Sequence, residues 1–243
     1  MVVAGKVFRM REHVPLPDLA QRLRGFRREA PLGEGVDELL ITEIRDLKVV
    51  GPRLEGVLIR DVPFVIRRRG EAVTVVKTAE IYFVFSDRGK ETFLLVIEKK
   101  ATANWAANLL SEIVFVTIGG IVEARISPER IRRYHEQNSE GTKVIFFDDV
   151  DLPNINKLSL YGPSLSNTAL YSEYLSHGNL WYIVVTSRKT GIVVGITRNA
   201  VVTVFSKVEG PSFVDYVLNE IVDLIEASTP RTADEPVSVR RLG

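Results

Sequence analysis

The sequence predicts an α+β protein made by tandem duplication of one unit: a strand, a helix, five strands and a closing helix. Three observations predict it. Valine and isoleucine number 51 of the 243 residues, a β-branched excess that suits pleated surfaces. Two amphipathic stretches, each opened by a proline, recur in corresponding places. Two longer segments, 73–113 and 181–221, can be laid on each other at a constant spacing of 108 residues (181 − 73) with no net gap.

The elements follow in order. Lys6, Val7 and Phe8 after Gly5 predict a leading strand, with Ile121 and Val122 after Gly120 as the counterpart. LPDLAQRLRGFRR spaces Leu16, Leu19, Leu23 and Phe26 along one helical face. Pro17 suits the first turn of that helix, as Pro128 suits the first turn of its counterpart SPERIRRYHEQ, where Ser127 is the N-cap. Five strands are expected at about 36–45, 56–68, 72–78, 80–86 and 92–100, separated by turn signals such as Arg69-Gly70 and Asp87-Arg88-Gly89-Lys90. Helices over 103–115 and 212–227 close the two units, and the strands 93–100 and 201–208 run into them. The domains are thus 1–118 and 119–227, with a Ser/Thr/Pro/Asp-rich tail over 228–243 that reads as flexible. The halves should superpose through a pseudo-two-fold axis, as antiparallel sheets with helices on one face. The fit should be worst over 161–179, where about seven residues are inserted.

Composition bounds the function. Thirty-two Lys and Arg against 31 Asp and Glu leave a net charge of +1, so any nucleic-acid contact must come from local patches. With no cysteine, disulfides, thiol nucleophiles, zinc–thiolate sites and iron–sulfur clusters fall away together. The weakly charged run 113–122 is half a membrane span, and Lys6 and Arg9 interrupt the N-terminus. The expectation is a cytoplasmic protein with no membrane partner and no cofactor. There is no Gly-rich phosphate loop, Gly-x-Ser-x-Gly elbow or His-Glu-x-x-His pattern. Asp148, Asp149 and Asp151 read as a turn at a strand end.

A helix, five antiparallel strands and a helix, repeated over Gly5 to Ala227, resembles the saddle of the TATA-binding protein family. The resemblance is one of element order. The family's DNA-kinking phenylalanine pairs find no counterpart here, so no family residue is carried over. It implies a non-enzymatic binding protein, with DNA or a protein of a DNA- or chromosome-associated assembly as partner. Sliding clamps also repeat internally, but they are acidic and their repeats do not end in helices.

Three sets of side chains are candidates. Arginines cluster at Arg22, Arg24, Arg27 and Arg28, at Arg130, Arg132 and Arg133, and at Arg67, Arg68 and Arg69. Guanidinium forks fit phosphate oxygens, and solvated helix faces are the alternative. Tyr161, Tyr171, Tyr174 and His177 lie in the inserted stretch and suit a contact surface for a protein or for stacked bases. The run from Asp87 to Glu98-Lys99-Lys100 resembles the restriction-endonuclease-like motif, which implies metal-binding Asp87 and Glu98 and a water-orienting Lys100 on one strand face. A metal-dependent nuclease and a protein-interaction scaffold are the alternative functions.

Overall fold

The computed structural model describes residues 2–33 and 37–228. Strand β1 (Val3–Met10) sends Val7 into one apolar cluster and Phe8 and Met10 into another, so it is covered on both faces. It is the spine of one antiparallel sheet of 12 strands. After it come α1 (Leu16–Leu23), β2 (Arg27–Pro31), β3 (Leu39–Val50), β4 (Arg53–Arg68), β5 (Glu71–Asp87), β6 (Thr92–Ile97) and α2 (Lys100–Phe115). The chain continues through β7 (Ile121–Glu123), α3 (Pro128–Gln137), β8 (Thr142–Asp148), β9 (Leu158–Tyr161), α4 (Ala169–His177), β10 (Asn179–Thr186), β11 (Val193–Thr197) and β12 (Val201–Val204). Helix α5 (Gly210–Tyr216), a π turn (Val217–Ile221) and α6 (Val222–Glu226) close it. The strand order is β2-β3-β4-β5-β6-β1-β12-β11-β10-β8-β9, with β7 against the end of β1. The sheet therefore crosses residue 118 unbroken.

Helices lie on both faces of this sheet, not on one as the sequence suggests. Helices α1 and α2 cover Phe8, Leu54, Leu58, Phe83, Leu94 and Val96. Helix α3 and the α5–α6 segment cover the opposite face, at Val7, Phe93, Leu95, Ile196, Val202 and Val204. The physical reason is β6, whose residues 92–96 are all buried; such a run must be sealed on both sides. Each leucine so enclosed contributes roughly 2 kcal/mol of hydrophobic stabilisation.

Other boundaries shift. Helix α1 ends at Leu23, and Gly25 at φ +73° turns the chain, so Arg27 and Arg28 sit on strand β2. The strands expected at 72–78 and 80–86 are one strand, β5. Strand β6 stops at Ile97, and Lys100 opens α2. The inserted stretch, expected to be a loop, contains α4, capped by the Thr168 hydroxyl accepting from the Tyr171 amide. The ungapped superposition fails in part. Residues 73–78 lie in the far end of β5, whereas 181–186 lie in β10 between β11 and β8. At the π turn, Arg88 donates to the freed Leu218 carbonyl. Apart from Ser228, the expected tail lies outside the described residues. No helix among the described residues is long and apolar enough to cross a membrane.

Candidate nucleic-acid interface

Strands β4 and β5 pair without a bulge from Arg53↔Ser86 to Arg68↔Glu71. Their neighbours stop much sooner. Strand β3 leaves β4 at Arg60, and β6 leaves β5 at Tyr82. Beyond that point the hairpin is a two-stranded arm, roughly 24 Å long at 3.4 Å per residue. Its root is clamped. Asp61 accepts from the Ile41 amide (2.9 Å) and from the Thr78 hydroxyl (2.7 Å), and the Thr78 bond holds the Asp61 carboxyl below its ordinary range. Arg60 lies over the Trp105 ring at 3.9 Å. Past the clamp the arm is open to solvent on both faces, with Phe64 43% and Val65 64% exposed and Ile66 and Val73 beside them.

The arm ends in Arg67-Arg68-Arg69-Gly70. Arg69 and Gly70 both have positive φ (51° and 86°), as a two-residue I′ turn requires. Arg67, Arg68 and Arg69 make no side-chain hydrogen bond or ion pair among the described residues. Most other arginines singled out in the sequence have structural work. Arg22 donates to the Val114 carbonyl at the end of α2 (2.8 Å), and Arg28 pairs with Glu112 (2.9 Å). Arg27 pairs with Glu29 and Glu43, Arg130 donates to the Ala227 carbonyl, and Arg132 pairs with Glu136. Arg24 and Arg133 are exposed without such bonds, but they follow α1 and lie in α3, which cover opposite faces of the sheet. The three clusters do not form one surface.

The tyrosines separate as well. Tyr161 on the edge strand β9 is 67% exposed and meets Phe146 edge-on. Tyr171 is in the core. The Thr142 hydroxyl gives its proton to the Ser139 carbonyl (2.7 Å), so His135 Nε2–H must donate to Thr142 (2.9 Å). His135 Nδ1 then accepts from the Tyr171 hydroxyl (3.1 Å). Burial pushes His135 down to about 4 and Tyr171 up to about 12. Tyr174 packs on Phe147, and His177 meets Asp151 at 2.8 Å. Tyr171, Tyr174 and His177 therefore act inward or locally, not as one platform with Tyr161.

The nuclease residues are kept apart. Asp87 stands opposite Thr92 in the β5–β6 ladder, and Glu98 lies six residues further along that strand direction, roughly 20 Å away. Asp87 accepts from the Gly89 amide (2.7 Å), which holds it below its ordinary range, and from His13 (3.2 Å). Glu98 accepts from the Lys99 amide. Among the described residues no group of three or more His, Asp or Glu is placed to hold a metal ion.

A second feature escaped the sequence. A cleft of about 740 Å³ opens where β8, β10, the β11–β12 turn, β7 and the start of α2 converge. Lys6, 0% exposed, reaches Asn104 (2.7 Å) and Glu123 beside it. Burial lowers the Lys6 ammonium, while its bond holds Glu123 below the ordinary carboxylate range. Two buried atoms on the wall, Trp181 Nε1 and Asp148 Oδ1, have no hydrogen-bond partner. Each such group costs about 1–3 kcal/mol if left unmet.

A scan against protein-family models finds no match, and no curated protein matches the chain.

Proposed function

We propose that this chain is a non-enzymatic nucleic-acid-binding protein whose β4–β5 arm enters a groove of duplex DNA, with a protein of the same DNA- or chromosome-associated assembly as a further partner. The observation that carries the reading is the arm itself, projecting beyond its neighbours with three unengaged guanidinium groups at its end. The major groove of B-DNA, ≈12 Å wide, admits a two-stranded ribbon, and guanidinium forks fit both phosphates and guanine edges. Asparagine would serve the left-handed position 69 at lower cost than arginine. Keeping arginine there adds a third cation at the tip.

The duplication belongs to the same proposal. Strands β6 and β12 flank β1, β5 and β11 come next, then β4 and β10, then β3 and β8. Both β6 and β12 lead into a helix. A two-fold axis along β1 would exchange these partners and carry a helix from one face to the other.

The test is fluorescence anisotropy with a labelled 20-base-pair duplex and the matching single strand, at about 50 and 200 mM salt. Tight duplex binding at low salt is expected. In Arg67→Ser/Arg68→Ser/Arg69→Gly it should weaken at least tenfold, with the salt slope reduced by roughly 2 to 3 and a melting temperature no lower than that of the unsubstituted chain. Absence of binding at low salt, or full binding by the triple variant, defeats the reading. Retained capture of a protein partner by that variant would favour a scaffold built on Phe64, Val65 and Ile66.

A further inference from the structure

We infer that the β4–β5 arm reads thymine methyl groups in the major groove, through one apolar face made by Phe64, Ile66, Val73 and Val75. The inference rests on the proposed function and adds what the arm would prefer along a duplex. Residues paired in an antiparallel ladder share a face. The pairs Phe64↔Val75, Ile66↔Val73 and Arg68↔Glu71 therefore line one side of the arm. Phe64, Ile66 and Val73 are 43%, 39% and 41% exposed, and neither β3 nor β6 reaches this stretch. Over 62–66 and 72–76, Thr74 is the only polar side chain, and its partner Val65 places it on the other face.

Phosphate contact accounts for the arginines at the tip but not for this face. Of the groups that base pairs display in the major groove, the C5-methyl of thymine is the apolar one. Side chains without donors or acceptors gain from that methyl. They lose by covering the polar edge of a G·C pair, whose groups are then left without water. The outer end of the same face changes chemistry. Arg68 suits guanine O6 and N7, and Glu71 across from it can accept from the cytosine amino group of the same pair. The spacing matches too. A strand advances 3.4 Å per residue and each DNA strand the same per base, so Phe64 to Arg68 spans roughly 14 Å, or about four base-pair steps. The face thus fits a short run of A·T pairs that ends in a G·C pair.

Deoxyuracil tests this directly, because it removes the methyl and keeps the pairing edge. Anisotropy at about 50 and 200 mM salt would compare a labelled A·T-rich 20-base-pair duplex with the same duplex carrying uracil for every thymine. The unsubstituted chain should bind the uracil duplex at least threefold more weakly, since each buried methyl group is worth about fourfold. The salt slope should be the same for both, because no phosphate contact differs. In Phe64→Thr/Ile66→Thr, which keeps β-forming residues, the two duplexes should bind alike, with the salt slope retained. Equal binding of the two duplexes by the unsubstituted chain overturns the inference and leaves the proposed function standing, whereas binding of neither defeats both. A preference that persists in the double variant also overturns the inference, by placing the discrimination elsewhere. So does sedimentation of a dimer that the double variant abolishes, which would give the face to a second copy of this chain.

Discussion

Hairpins β4–β5 and β10–β11 hold the same ranks in the sheet, second and third from β1 on either side. One stops with its neighbours and the other does not. The β10–β11 ladder runs from Tyr182↔Thr197 to Thr186↔Val193, within the reach of β8. The β4–β5 ladder runs eight pairs past the last pairing with β3, from Asp61↔Thr78 to Arg68↔Glu71. A two-stranded ribbon is marginal by itself in water. The longer hairpin is therefore held by its root, and its outer half contributes little to the core. The difference teaches that strand length beyond the neighbours is decoupled from folding and free to serve contact.

That contrast can be broken first by truncating side chains along β4. Leu58→Ala, in the buried root, should cost about 3 kcal/mol in urea unfolding, and Phe64→Ala, in the arm, less than about 1. Equal losses would mean that the arm packs in solution. The two sides of β1 should also differ in acid. His135 is neutral and buried among the elements beyond β1, with its pKa lowered from 6.5 to about 4. Between those values the unfolded chain binds a proton that the folded chain does not. Stability should thus be full above pH 6.5 and fall as pH drops towards 4, by up to about 3 kcal/mol. His135→Gln should flatten that part of the pH profile.

Glycines sharpen the comparison further. A Cβ on Gly56 would stand 2.6 Å from the ring of buried Phe83, while one on Gly195 would meet the hydroxyl end of the partly exposed Tyr182. Gly56→Ala should cost about 2 kcal/mol and Gly195→Ala less, as melting curves would report. The smallest effect is at the arm's end. Arg69→Gly should stabilise by about 0.5 kcal/mol by relieving the left-handed arginine, while weakening duplex binding.

How much of this was legible varies with the physics. The closing helices announce themselves by periodicity and β1 by the short apolar run after Gly5, and Ser127 caps α3 as its position suggests. The arm does not, because Lys77-Thr78-Ala79-Glu80 looks like a break between strands. Those polar residues mark where β5 loses its neighbours, not where it turns. Cover on both faces was readable in Phe93-Leu94-Leu95-Val96, an apolar run with no alternation. Tyr171, Tyr174 and Leu175 at i, i+3 and i+4 signalled α4, but Gly162-Pro163 and the serines outweighed them. The Asp87–Glu98 motif was legible only as spacing. Pairing placed its acids at opposite ends of a hairpin. The cleft gathers residues scattered between Lys100 and Ser228, and no local pattern announces it.

One pairing sets the order in which the molecule can be completed. Val3 stands opposite Val204, 201 residues later (204 − 3), and β1 has β6 on its other side. Strand β1 is made long before β12, and its Val3–Lys6 edge stays bare until β12 exists. Until then the Val7, Phe93 and Leu95 side of the early strands also lacks the α5–α6 segment that seals it. Such distant closure slows folding and leaves an edge open to other chains.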